Sequence, residues 1–170
     1  LLGQAWSFFP AWTIHLAVVD PGVGTDRRAL LVNGKGHWFL VPDNGLITFA
    51  LPPEQTDRDI FQPYSADVPA GFHAYPLTNQ RDWRQSVSAT LRGRDIFAPV
   101  AAHFSLGVTP EELGEPVHTL TRLAVPALQW QGDTLQAHVL YVDRFGNVVT
   151  TVPAEALVSV TDMELELNGI

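Results

Sequence analysis

Up to about residue 120 the chain alternates strand-like and helix-like segments, and from Ala124 onward it reads as short strands and tight turns alone. Interleaved elements build a sheet with helices packed on its faces, whereas a run of strands builds a separate β structure. The expectation is therefore an α/β N-terminal domain over residues 1–122, a central sheet flanked by helices, followed by the start of a C-terminal β domain over 123–170. A length of 170 residues has room for one medium domain plus part of another.

Local signals fill in this outline. Residues 1–10 (LLGQAWSFFP) carry apolar side chains at helical spacing and end at Pro10, as the last turn of a helix would. Thr13–Val19 (TIHLAVV) is branched and mostly apolar, the pattern of a strand buried on both faces. Ala29–Val32 and His37–Val41 read as strands joined by the turn Asn33-Gly34-Lys35-Gly36. Pro42–Gly45 is a second turn, with a short apolar segment, Leu46–Leu51, after it. Residues 52–80 are Pro-rich and irregular apart from a strand around His73–Leu77. Arg94–Ser105 has helical spacing between Gly93 and Gly107, with Pro99 to be accommodated in the first turn or at a kink. Thr109-Pro110-Glu111-Glu112 is a helix start, with Thr as N-cap, Pro first and Glu third. Strands are expected at Leu128–Trp130, Thr134–Val142, Val148–Val152 and Met163–Leu167. The chain opens without an initiator Met and closes on Leu165–Ile170 as a strand reaching a turn, so a fragment is expected.

Charge and composition exclude several classes. Ten Lys and Arg against 18 Asp and Glu give a net charge of -8, and no basic stripe is available to meet nucleic-acid phosphates. No apolar stretch approaches the length of a membrane span. Without cysteine there is no disulfide framework and no thiolate zinc site, in keeping with a cytoplasmic protein. No pair among the six histidines has metal-ligand spacing, so no metal is assigned. His15 and His103 read as satisfied core residues, and the five Trp as core or interface residues.

Three segments can carry chemistry. In VVDPGVGTDRR, residues 18–28, Asp20 follows a strand and opens a Gly-rich turn, where open α/β sheets place ligands. In LRGRDIFAP, residues 91–99, Gly93 precedes an Arg and an Asp at a helix start with free N–H groups. In YVDRFGNVVT, residues 141–150, Asp143, Phe145 and Asn147 bracket Gly146. Each has an ordinary structural explanation when read alone: a capped turn, a helix start, a hairpin.

Taken in order, VVDPGVGT, PDNGLIT, GRDIFAPVAAH and VDRFGNVVT closely resemble the S-adenosylmethionine (SAM) hydrolases that form adenosine, the SAM hydroxide adenosyltransferases, relatives of the fluorinases and chlorinases. The resemblance implies the same two-part fold and a homotrimer with substrate held between neighbouring subunits. It also implies hydrolysis of SAM to adenosine and L-methionine, with SAM as substrate and no cofactor. By matching, Asp20 orients or deprotonates the attacking water, and Arg27, seven residues on, fixes Asp20. Asp143 would meet the methionine ammonium, Phe145 the purine and Asn147 the adenine edge, with Gly93 in the substrate-binding set. The family's early ribose-gripping Asp and the end of its second domain have no counterpart in the chain.

One position departs from the family. Where its motif reads FHGRD, this chain reads Leu91-Arg92-Gly93-Arg94-Asp95. Arg92 stays protonated and cannot be a base, so as the third catalytic member it would act electrostatically. The alternative is a catalytically impaired SAM- or adenosine-binding protein. Halide chemistry is disfavoured, because Asp20 would repel a bare halide.

Overall fold

A computed structural model describes residues 2–54 and 56–167. Contacts divide the chain into two units, Leu1–Glu54 with Phe61–Ala124, and Gln55–Ile60 with Val125–Ile170.

The strands of the first unit are β1 (Ile14–Leu16), β2 (Ala29–Gly34), β3 (His37–Pro42), β4 (Pro63–Asp67), β5 (His73–Pro76) and β6 (Thr119–Leu123). Lys35 and Gly36 take φ of 52° and 76°, the left-handed pair that a two-residue hairpin needs, so the anticipated turn between β2 and β3 forms. Four strands make a mixed sheet in the order β1-β3-β2-β5, with β1 parallel to β3 and the other pairs antiparallel. Alternation sorts its side chains. Leu30, Val32, Phe39 and Val41 point to one face, against Ile47, Leu51, Phe72 and Leu120. Leu31, Leu40 and Tyr75 point to the other, against Ile96, Phe97, Val100 and Leu113. Helices lie on both sides: a 3-10 turn at Leu46–Ala50, α1 (Leu2–Ala5), α2 (Ala98–Ser105) and α3 (Pro110–Leu113). This is the α/β arrangement the sequence suggests.

Several details differ from expectation. Instead of a strand buried on both faces over Thr13–Val19, β1 is three residues long and lies at the sheet edge with β3 as its neighbour. Leu16, Val18 and Val19 are exposed, Val19 by 61%. Within residues 52–80 the structure adds β4, which pairs with β6 across more than 50 residues of chain. Its face alternates exposed and half-buried positions, too weak a pattern to read locally.

Pro99 sits in the first turn of α2, as anticipated, but the turn before it is a π-helix, Gly93–Phe97. Pro has no N–H for the Asp95 carbonyl, and that carbonyl instead accepts from Arg84 N–H at 2.9 Å. The Ala98 N–H reaches back to the Gly93 carbonyl. α3 starts with the anticipated capping box of Thr109 and Glu112.

In the second unit, β7 (Gln129–Gln131) pairs with β8 (Thr134–Gln136), and β9 (Val139–Val142) pairs with β10 (Val148–Thr150). The strand expected over Thr134–Val142 is thus two, because its halves pair with different neighbours. Described residues of the Met163–Leu167 segment are not in a strand: their apolar alternation finds no ladder partner, and Met163, Leu165 and Leu167 are exposed. No helix among the described residues is long and apolar enough to cross a membrane.

Candidate active site

The turn after β1 is closed by Val23 N–H donating to the Asp20 carbonyl (3.1 Å) and by Thr25 Oγ1 donating to the Gly22 carbonyl (2.9 Å). Gly24 takes φ of 94°, which a residue with a Cβ adopts only under strain. The turn brings Arg27 back onto Asp20, and Arg27 Nη1 donates to Asp20 Oδ1. A Cβ on Gly22 would come within 2.8 Å of both Arg27 terminal nitrogens, so glycine there leaves the guanidinium its place.

The Asp20 side chain is only 4% exposed. Its second oxygen, Oδ2, is buried and has no hydrogen-bond partner among the described residues. A buried carboxylate oxygen left unpaired is costly and favours any donor that can reach it. The main chain just before it is pinned by Asn44, whose Nδ2 donates to the Val19 carbonyl (2.8 Å) while its Oδ1 accepts from Leu46 N–H (3.1 Å). Asn44 is thus a positioning residue for this loop, which goes beyond the plain turn that explains its motif equally well. The signal available was the motif Asp43-Asn44-Gly45 itself. Asp43 is fully engaged elsewhere, accepting from Arg28 Nε (2.8 Å) and Thr121 N–H (2.6 Å).

The second segment stands on Asp95, which is completely buried. Its carboxylate accepts from Arg94 Nε (2.7 Å), Arg94 Nη2 (2.9 Å) and Ser88 N–H (2.8 Å). The Arg94 guanidinium first, and then the Ser88 amide, hold its pKa at about 2 against the opposing effect of burial. Asp95 is therefore the anchor of the π-helix. Arg92, at the head of that helix, sends Nη1 to the main-chain carbonyl of Arg27 at 2.7 Å. The structure thus brings Asp20, Arg27 and Arg92 together, the last through Arg27's backbone. Gly93 lies by Val18, where an added Cβ would make an ordinary 3.6 Å contact, so packing alone does not require glycine.

In the second unit, Asp143, Phe145 and Asn147 share the loop between β9 and β10. Asp143 Oδ1 accepts from Phe145 N–H (2.8 Å) and Asn147 N–H (2.9 Å), and Oδ2 accepts from Asn147 Nδ2 (2.8 Å). These bonds, the Asn147 side chain foremost, hold the Asp143 carboxyl below its ordinary range. Phe145 is 77% exposed, under the Arg144 guanidinium at 4.9 Å.

The two histidines differ. His15 Nε2 and His37 Nδ1 share a 3.1 Å hydrogen bond in a buried aromatic cluster with Phe39. His103 is half-exposed rather than in the core, its Nδ1 2.9 Å from Oδ1 of the buried Asp82. Among the described residues, no three His, Asp or Glu side chains are grouped to hold a metal ion.

Known proteins resemble this chain over most of its length. A model of the SAM hydroxide adenosyltransferase N-terminal domain matches residues 1–114. A Salinispora tropica protein named (R)-S-adenosyl-L-methionine hydrolase is 44% identical over 151 residues, 87% of this chain and 52% of that protein. A Thermus thermophilus protein of the same name is 42% identical over 157 residues, 89% of this chain and 55% of that protein. The chain spans about half the length of the curated relatives it matches. The crystal structure of an uncharacterized conserved protein from Thermotoga maritima matches with a TM-score of 0.76 at 30% identity, covering 95% of this chain and 56% of that one. A conserved hypothetical protein from Thermus thermophilus matches with a TM-score of 0.60 at 38% identity, over 89% and 52%.

Proposed function

The chain belongs to the SAM hydroxide adenosyltransferase family, and from that premise we propose that it hydrolyses SAM to adenosine and L-methionine. Water, or the hydroxide it yields, attacks the 5′ carbon in line with the carbon–sulfur bond. That bond breaks with its electron pair passing to sulfur, and the positive sulfonium leaves as a neutral thioether. The leaving group needs no general acid and the substitution needs no cofactor. It does need a water that is oriented, stripped of its other partners and relieved of a proton.

The observation that carries this reading is the Asp20 carboxylate, one oxygen tied to Arg27 and the other buried and unpartnered. An acceptor in that state suits a water molecule that must be aimed and deprotonated, and the Arg27 charge favours the hydroxide that develops. Arg92 adds a second positive charge next to the pair, and Gly93 joins the substrate-binding set. By the same reading, Asp143 meets the methionine ammonium, Phe145 the purine and Asn147 the adenine. The lowered pKa of Asp143 supports its part, because an ionised carboxylate is what an ammonium requires.

The reading includes a cytoplasmic homotrimer with each site shared between subunits. The exposed Phe145 supports it, since an aromatic ring at a loop tip suits burial against a ligand or another chain. Light scattering of the purified protein should give three times the chain mass. Incubation with SAM, followed by chromatography, should give adenosine and methionine in equal amounts, and Asp20→Ala should abolish both. Tight adenosine binding with no methionine released would instead identify an impaired binding protein and overturn the hydrolase reading.

A further inference from the structure

Arg27 reaches Asp20 from an exposed loop. Residues 24–26, between the turn at Asp20 and Arg27 itself, are exposed. The bonds closing the loop lie near its start, at Asp20–Val23 and Gly22–Thr25. At the other end, Arg28 is bound to Asp43 and to the Thr119 carbonyl. Arg27 lies between these anchorages, and its main-chain carbonyl is held from 65 residues away by Arg92.

We infer that Arg92 is a positioning residue: its guanidinium clamps the Arg27 carbonyl and so aims the Arg27 side chain at Asp20. The inference rests on the reading of Asp20 and Arg27 as the pair that handles water.

The clamp has a fixed base. Arg92 leads into the π-helix, whose Asp95 is buried and bonded to Arg94 and Ser88, and the Leu91 carbonyl accepts both the Arg94 and Asp95 amides (3.0 Å each). It has a suitable donor, since a guanidinium is always charged and makes a strong bond to a carbonyl. It also has a receiving geometry: the missing Cβ at Gly22 lets the Arg27 guanidinium lie against its own loop once the backbone is fixed. Two arginines placed this way act in series. Arg92 holds Arg27, and Arg27 holds Asp20.

Action in series differs measurably from action in parallel. Arg92→Ala should lower kcat by about tenfold to a hundredfold, the scale of one charge-assisted hydrogen bond. The Arg27→Ala, Arg92→Ala double variant should be no slower than Arg27→Ala alone, because the clamp then has nothing to aim. Arg92→Lys, which keeps a cationic donor, should recover part of the loss, while Arg92→His should stay slower than the parent. Effects that multiply in the double variant would mean that Arg92 acts on the reacting water directly, and would overturn the inference; so would full activity in Arg92→Ala. If Arg92→Ala does not fold, Arg92→Gln replaces it in the cycle. Should the parent release no adenosine, the hydrolase reading fails but the clamp is still tested without substrate. Nitrogen-15 NMR of the Arg27 guanidinium should show restricted rotation in the parent and averaged signals in Arg92→Ala or Arg92→Gln. Identical Arg27 spectra in parent and variant would overturn the clamp.

Discussion

The loop that begins at Asp20 and the loop that begins at Asp143 are built from similar parts. In each, Asp opens a turn and a glycine a few residues on takes a left-handed φ, 94° at Gly24 and 88° at Gly146. Asp143 spends its carboxylate on its own loop, accepting two main-chain amides and the Asn147 side chain. Asp20 gives one oxygen to Arg27 and keeps the other buried and unpartnered. A carboxylate with three bonds to its own turn is held in place and has little more than part of Oδ2 to offer a ligand; one with a desolvated free oxygen has that whole oxygen to offer. The surroundings differ as well. The first unit closes a core on each face of its sheet, whereas no described residue of the second unit is buried.

The largest expected effect bears on the two carboxylates. Asp20→Asn should cut adenosine release by about 10²–10⁴-fold, as loss of a general base does. Asp143→Asn should mainly raise KM for SAM. If the Asp143 variant loses as much kcat as the Asp20 variant, the distinction between the loops fails. Next comes the contrast of cores, read by urea unfolding. Phe97→Ala, in the buried layer under the sheet, should cost about 3–5 kcal/mol. Trp130→Ala, on exposed β7, should change stability by no more than about 0.5 kcal/mol.

Two smaller effects sharpen the description of the first unit through pH. The folded pKa of Asp95 lies at about 2, below the ordinary 3.8. Its ionised form therefore stabilises the fold fully above 3.8, and that contribution is lost as the pH falls through about 2. Asp95→Asn should remove this part of the acid-side slope when thermal midpoints are followed by circular dichroism. His15 is shifted the opposite way for a base: burial first, then the facing His37, lower its pKa below 6.5. The neutral ring is the form the fold accepts, so stability should be complete above pH 6.5 and decline as the pH drops toward the lower folded value. His15→Phe, which preserves the stacking on Phe39, should flatten that decline; an unchanged slope would assign it to another group.

Much of the local structure was legible because its causes are local. Gly34-Lys35-Gly36 fixes a hairpin through two left-handed residues, Thr109 and Glu112 cap a helix through side chains three apart, and Pro99 falls where a first turn tolerates it. The pairing of Asp20 with Arg27 lies within one loop, and the family resemblance implied it. The β4–β6 ladder and the Arg92 bond to Arg27 join residues far apart in the chain, and no period or local pattern announces them.

The sequence by itself determined the α/β character of the first unit and its turns and caps, because steric and hydrogen-bonding preferences over a few residues suffice for these; the residue types of the candidate site came from the family resemblance. Tertiary structure decided the rest. It made β1 a short exposed edge where apolar composition suggested burial, since burial depends on which neighbours a strand acquires. It made a π-helix from the segment before Pro99, since the Asp95 carbonyl finds its donor in Arg84. It left one oxygen of Asp20 desolvated and without a donor, and set Arg92 behind Arg27, because partners and water exclusion come from whatever the fold packs around a side chain.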